Sequence, residues 1–334
     1  MILECKCKKI LGELNSKNYL YTMNLSEITN QKILYACNDW GMGHLMRSIP
    51  IINQLLLQKN EVLFVGTDFQ LKVLAEYIPS IETISYQGHP FCFKGDGKWS
   101  LEMLRNTRNL LKGVKADKGF VAKTISDKKI TLIVSDHRYG FRHETIPSIF
   151  ITHQVSLPVT GIQNISTIWH NKQLKKYTSI WVLDDEKHTF AGKLSTPTCK
   201  LPVHYLGIQS RFEKRDVPKQ DFILAVISGP EPYAEQLFRK VIEIAKNSID
   251  TIKCISPRNY QTETVPTNLE IVNHLSWKEK DALFYQCKSV ISRSGYTTIM
   301  DLAILQKPGL LIPTPGQKEQ EYLFEIHKKS VSKI

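Results

Sequence analysis

The sequence predicts an α/β protein made of two Rossmann-like domains in tandem, and three observations carry that prediction. Residues 32–65 read as strand, Gly-containing turn, helix and strand. Residues 289–312 repeat the pattern near the other end, as one crossover of a parallel sheet. Between them a charged, Pro-containing stretch at 211–220 reads as a linker. A chain of 334 residues is long enough for two domains of ordinary size. The expected division is an N-terminal extension over 1–30, a first domain over 31–210, the linker over 211–220, and a second domain over 221–334.

The extension is a mixture of Lys, Asn, Ser and Thr without a fold signal, and Met23 is a candidate start. The first domain opens with Lys32–Cys37, an apolar run of strand length, followed by Asn38-Asp39-Trp40-Gly41-Met42-Gly43-His44. Leu45, Ile49, Ile52, Leu55 and Leu56 then share one face of a helix over 44–58, with Pro50 a candidate kink. Glu61–Val65 is the second strand. The G-x-G of Gly41 and Gly43 lacks the third glycine of the dinucleotide fingerprint, and no acidic residue closes the second strand. The turn does place His44 at a helix start on the carboxyl edge of the sheet, where doubly wound folds bind ligands. Arg47, one turn on, faces the same way. A long basic helical region follows over 101–126, then buried strands at Ile130–Ser135 and Ser148–Thr152. Strand ends thus deliver His44, Asp136 with His137, and His153 towards one edge, and that convergence marks them as candidate site residues. Trp181–Leu183 ends in Asp184-Asp185-Glu186, which reads as a solvated turn before it reads as a metal site. Tyr205–Ile208 precedes the linker.

The second domain starts with a strand, Phe222–Ile227, and a turn containing Ser228 and Gly229, which could present amides to a phosphate or an acceptor. A helix runs to Lys246, strands follow at 251–256 and 269–272, and Trp277–Gln286 is a helix. Ser289–Ser292 then leads into the turn Arg293-Ser294-Gly295 and a helix over Tyr296–Leu305 with Ile299, Leu302, Ala303 and Leu305 as its apolar positions. Lys307-Pro308-Gly309 breaks that helix before a last strand at 310–312. The turn sets free backbone N–H groups at a helix N-terminus beside Ser294, Thr297 and Thr298, an arrangement suited to an anion. Asp301, one to two turns further in, is placed to accept hydrogen bonds from a ribose diol. Spacing alone equally allows a solvated helix residue.

The formal charge of +12 calls for anionic partners. Lys and Arg are spread along the chain without the aromatic-and-basic stripe of single-strand binders, so nucleic acid is not an expected partner and an anionic membrane face is the better one. No apolar run reaches transmembrane length, and Glu4 and Lys6 interrupt what would be a signal-peptide core. Seven scattered cysteines without ligand spacing argue for a reduced cytoplasm and against a metal site.

The stretch SRSGYTTIMDLAILQKPGLLIPTPGQKEQEY resembles the donor-binding region of family 28 glycosyltransferases, the family that includes the N-acetylglucosaminyltransferase making lipid II. The resemblance implies the two-domain architecture called GT-B, with a UDP-sugar on the second domain and an acceptor over the first. It places Arg293, Ser294 and Gly295 at the turn, Asp301 at the ribose and Gln320 at the sugar, with Arg293 the nearest cation for the leaving group. The family usually has Glu at the position of Asp301, often has a second Gln at Glu321, and has Asn at Phe324. Those departures bear on which sugar is held. A Gly-rich loop ending in His occupies the place of Gly41–His44, which makes His44 a candidate general base, with Asp136 the alternative.

What the resemblance implies is inverting transfer of a hexose, N-acetylglucosamine in the family's best-known member, from a UDP-sugar to a hydroxyl of a glycolipid or cell-envelope glycan. The scheme needs no cofactor besides the UDP-sugar co-substrate and no metal, and suits a cytoplasmic protein with peripheral contact to the inner membrane face. GMGHLMRS also resembles the loop of the nucleotide-sugar hydrolase of pseudaminic acid synthesis, which keeps a hydrolase open, as well as an inactive nucleotide-sugar-binding subunit. GT-B chains continue past the EQEY segment into a closing helix on the first domain, whereas this chain runs into HKKSVSKI, so a weakened interdomain interface is expected.

Overall fold

In a computed structural model, residues 23–87, 93–158, 164–262 and 264–331 are described. The first sheet contains β1 (Lys32–Cys37), β2 (Glu61–Gly66), β3 (Glu82–Ser85), β4 (Leu132–Asp136), β5 (Ser148–Thr152), β6 (Ser179–Val182) and β7 (Val203–Tyr205). All pairs are parallel, in the order β3-β2-β1-β4-β5-β6-β7. The second sheet contains β8 (Ile223–Val226), β9 (Ile252–Ile255), β10 (Leu269–Ile271), β11 (Ser289–Ser292) and β12 (Gly309–Leu311), in the order β10-β9-β8-β11-β12. Strands such as β4 and β5 are buried along their whole length, as parallel strands covered on both faces must be. The order reverses between β1 and β4 and again between β8 and β11. Those switch points are where the carboxyl ends of the strands open a crevice.

The helices are α1 (Met42–Leu57), α2 (Asp68–Tyr77), α3 (Trp99–Arg105), α4 (Thr107–Lys128), α5 (Asn164–Leu174), α6 (Tyr233–Lys246), α7 (Trp277–Gln286), α8 (Tyr296–Leu305) and α9 (Lys318–Val331). Pro50 sits inside α1 without ending it. The single basic helix expected over 101–126 is two, α3 and α4, meeting at Asn106, whose amide nitrogen donates to Glu102 O at 2.9 Å. The apolar pattern of the sequence does not reveal α2, α5, α9 or the edge strand β3. For α2 a signal is nonetheless present: Thr67 and Gln70 form a reciprocal capping box at its start.

The part of the expected extension from Met23 onward belongs to the first domain. Leu25 and Ile28 are buried, and Trp181 Nε1 donates to Met23 O at 2.7 Å. Residues 1–22 of that extension, with Cys5 and Cys7, lie outside the described residues, as do the last three of the HKKSVSKI tail.

The expectation of a weakened interdomain interface is corrected. One apolar cluster runs through both halves, from Ile33 and Leu45 of the first to Leu224, Phe284, Met300 and Leu323 of the second. Polar contacts reinforce it: Tyr77 Oη donates to Asp281 at 2.7 Å, Trp277 N to Glu76 at 2.8 Å, and Tyr233 Oη to Glu102 at 2.7 Å. The helix that carries EQEY itself packs back on the first domain, where Tyr322 Oη accepts from Lys193 N at 2.9 Å and His327 Nε2 donates to Phe190 O at 2.7 Å. Among the described residues no helix is long and apolar enough to cross a membrane, and no cluster of His, Cys, Asp and Glu could hold a metal ion.

Candidate active site

The switch point of the first sheet places the α1 N-terminus beside the end of β4. His44 is the third residue of α1 and Asp136 the last of β4, and His44 Nδ1 stands 3.0 Å from Asp136 Oδ1. Asp136 is fully buried and is gripped by Arg47, whose Nε donates to Oδ2 at 2.7 Å while Nη2 donates to Oδ1. Nη2 is also 2.9 Å from His44 Nδ1. His44 Nδ1 thus lies between an acceptor, Oδ1, and a donor, Nη2: with the proton on Nδ1 directed at Oδ1 the Nε2 lone pair is left for a ligand, whereas with Nδ1 accepting from Nη2 the proton sits on Nε2. The first of these is the arrangement of an oriented imidazole base.

The electrostatics agree. Burial alone would raise the Asp136 carboxyl, but Arg47 and His44 outweigh it and hold it well below the usual carboxylate range. Burial and the Arg47 charge push His44 below its ordinary value against the pull of Asp136, so the ring is neutral at physiological pH. His137, next along, has its ring 5.3 Å from that of His44 and donates or accepts at Thr152 Oγ1 over 2.7 Å. Burial drives its pKa well down too. His137 therefore walls the site as a neutral ring.

Opposite, α8 begins after β11 at the second switch point. Gly295 is its N-cap residue and makes no side-chain cap, as Gly41 makes none for α1. Two helix N-termini with orphan amides thus face one another. Thr297 Oγ1 donates to Gly43 O at 3.1 Å, and a Cβ on Gly43 would stand 3.0 Å from that oxygen, so glycine is what allows the approach. Thr298 is half-buried on the same first turn, and Gly229 follows β8 with φ +104° beside half-buried Ser228, at the same carboxyl edge.

The remaining sequence-predicted residues keep their positions but differ in what their side chains do. Arg293 is corrected as a cation for a leaving group. Its guanidinium is buried and donates to Tyr233 O at 2.6 Å, Pro313 O at 2.9 Å and Ile312 O, so it braces the turn from behind. Burial lowers its pKa to about 10. Arg47 is likewise no phosphate or acceptor ligand, because Asp136 and His153 occupy it. Ser294 is fully buried and donates to Gln320 O at 2.8 Å; Gln320 Oε1 accepts from Thr314 N at 2.8 Å and Glu321 Oε1 from Gly316 N at 3.0 Å. These bonds shape the β11–α8 and β12–α9 turns. Asp301 is buried and bonded to Ser210 Oγ at 2.6 Å, at the end of the first domain, and to Arg211 Nη1 at 2.8 Å, the first residue of the linker, and burial pushes its carboxyl up against the pull of Arg211. It is not a solvated helix residue.

Asp184, expected in a solvated turn, is buried and organises its loop by accepting from Phe190 N, Ala191 N and Ser195 Oγ at 2.7–3.0 Å. One site residue escapes sequence reading. Glu319 meets His153 Nε2 at 2.7 Å across the domain interface, and only its place beside Gln320 hints at it.

Comparison with known proteins bears on these two halves. Residues 240–330 match the glycosyltransferase family 28 C-terminal domain. Among solved structures, the chain is similar to the glycotransferase of kitacinnamycin, with 12% identity, TM-score 0.63, and coverage of 90% of this chain and 85% of that one. It is similar to the spinosyn rhamnosyltransferase SpnG complexed with thymidine diphosphate, with 13% identity, TM-score 0.61, and coverage of 89% and 85%. It is also similar to Acinetobacter baumannii MurG, with 13% identity, TM-score 0.50, and coverage of 90% and 84%. No curated protein matches the sequence significantly. At these identities the structural likeness establishes the GT-B fold. The family match extends over residues 240–330, within the second unit, and is a similarity to the glycosyltransferase family 28 C-terminal domain.

Proposed function

We propose that this chain, a GT-B protein whose second unit is similar to the glycosyltransferase family 28 C-terminal domain, transfers a hexose from a UDP-sugar to a hydroxyl acceptor with inversion. The observation that carries the reading is the juxtaposition of the Asp136-held His44 with the uncapped start of α8, tied together by the Thr297–Gly43 bond. His44 Nε2 takes the acceptor proton as the hydroxyl oxygen attacks the anomeric carbon, and the bond to the diphosphate breaks on the opposite face. Asp136 keeps the imidazole in the required tautomer and stabilises the imidazolium. The leaving diphosphate is received by the amides of Tyr296, Thr297 and Thr298, with those of the α1 start and the Ser228-Gly229 turn nearby. The family pattern puts N-acetylglucosamine on the donor, Gln320 and Glu321 near the sugar and Asp301 at the ribose. For the last role the diol would replace Ser210 on the carboxylate. A lipid-linked or envelope glycan acceptor, reached from the cytoplasmic side at an anionic membrane face, is consistent with the +12 charge.

The test is UDP release from UDP-N-acetylglucosamine with and without a membrane lipid extract, on the wild-type chain and His44→Ala. Release that needs the extract and disappears in the variant supports the transferase. Release without any acceptor would replace it with a nucleotide-sugar hydrolase, and UDP binding without release would leave a donor site alone.

A further inference from the structure

Glu319 has no step in the proposed reaction, yet through it the second domain reaches the base. Asp136 and Arg47 form a bidentate pair inside the first domain. The remaining Arg47 nitrogen, Nη1, donates to His153 Nδ1 at 3.1 Å. Because a guanidinium only donates, Nδ1 must be the accepting nitrogen and the ring proton sits on Nε2, directed at Glu319 Oε1 2.7 Å away. The same ring lies parallel to that of Tyr296, at 4.3 Å and 4°. Thus His153 is held by Arg47 from its own domain and by Glu319 and Tyr296 from the other. The side chain of His153 is 6% exposed and that of Glu319 21% exposed, so the contact is shielded enough for charge to matter.

A charge count shows what closure changes. Asp136 and Arg47 cancel within the first domain. Glu319 adds one negative charge from the second, and a proton accepted by His44 is balanced by it. The groups that face this cluster are Arg47 on the helix of His44, Asp136 and His137 at the end of β4, His153 after β5, and Glu319 on α9. Tyr35 and Cys37 of β1 lie against Asp136, and Tyr296 of α8 backs His153. Arg47 is the sole permanent cation of this set, and Glu319 is the one member of opposite charge that departs with the donor-side domain.

We propose that Glu319, acting through His153 and Arg47, is a positioning residue that completes His44 as a base only when the donor-bearing domain is closed on the first. This rests on the assignment of His44 as base. It makes the segment that carries Gln320 also the segment that equips the base, so proton removal is coupled to the presence of the donor side.

Two readouts on Glu319→Gln and Glu319→Asp test it. In the pH profile of UDP release, the charge-removing Gln variant moves the acidic limb to lower pH by about half a unit or more, since a nearby negative charge favours imidazolium, and lowers the plateau; the Asp variant restores much of both. A loss of rate equal at every pH, with the limb unmoved, would mean a purely structural contact and overturn the proposal. NMR titration of the His44 imidazole reads the same coupling without turnover. A midpoint lowered in Glu319→Gln supports the relay even for a chain that releases no UDP, in which case the proposed function alone fails. An unchanged midpoint overturns the relay whatever the activity.

Discussion

The two halves of the site use different chemistry. In the first domain the candidate groups are side chains: His44 and Arg47 on α1, Asp136 at the end of β4 and His153 just after β5 are bonded to one another in a chain. In the second domain the motif residues Arg293, Ser294, Gln320 and Glu321 are bonded to backbone groups of their own domain, and what faces the cleft is the amide end of α8. A motif can therefore mark a backbone shape rather than a set of reacting groups. The contrast predicts that changes in the first half act on rate, whereas changes in the second act on folding and donor affinity.

The largest effect is expected from His44→Ala, which should lower kcat by about 10²–10⁴-fold with the fold intact, as loss of a general base does. Circular dichroism and UDP release on one preparation check both parts. Arg293→Met should instead cost stability, about 3 kcal/mol, because one buried and two part-buried carbonyls lose a charged donor. Urea unfolding measures it, and wild-type stability with impaired rate would reverse the assignment of Arg293 as a brace.

Acid should weaken the first half selectively. His170 donates from Nε2 to Gln154 O and accepts from Tyr139 Oη, and burial lowers its pKa to about 4, while His44 and His137 are lowered as well. A histidine depressed in the folded state binds its proton more readily when unfolded. The stability it contributes is thus complete above the unfolded value of about 6.5 and is lost as pH falls towards the folded one, at about 1.4 kcal/mol per unit for each histidine. Urea midpoints should fall from pH 7 to pH 5, and His170→Gln should flatten the fall. The smallest effect belongs to Ser294→Ala, which loses one buried hydrogen bond worth about 1 kcal/mol. Donor KM should rise a few-fold there with kcat nearly unchanged.

Much of the fold was legible because β1, β5, α7, β11 and α8 combine uninterrupted apolar runs or helical spacing with Gly or Ser breakpoints. The edge strand β3 escaped because its residues are largely exposed and carry no run to bury. In the site, strand-end position sufficed for His44, Asp136 and His153, since parallel strands converge on one edge. The side-chain directions of Arg47, Arg293 and Asp301 could not be read, because they depend on contacts 19 to 91 positions distant in the chain. Glu319 was illegible for the same reason: its partner lies 166 positions away, in the other domain.

The central claim, that Asp136 and His44 form the base while the donor is held elsewhere, is tested most directly by the steady-state parameters of Asp136→Asn. Asn preserves the shape but removes the charge that fixes the His44 tautomer. A kcat lowered by about 10²-fold or more, with donor KM within a few-fold of wild type, is the predicted result. A raised donor KM with kcat preserved would place Asp136 in donor binding and contradict the account.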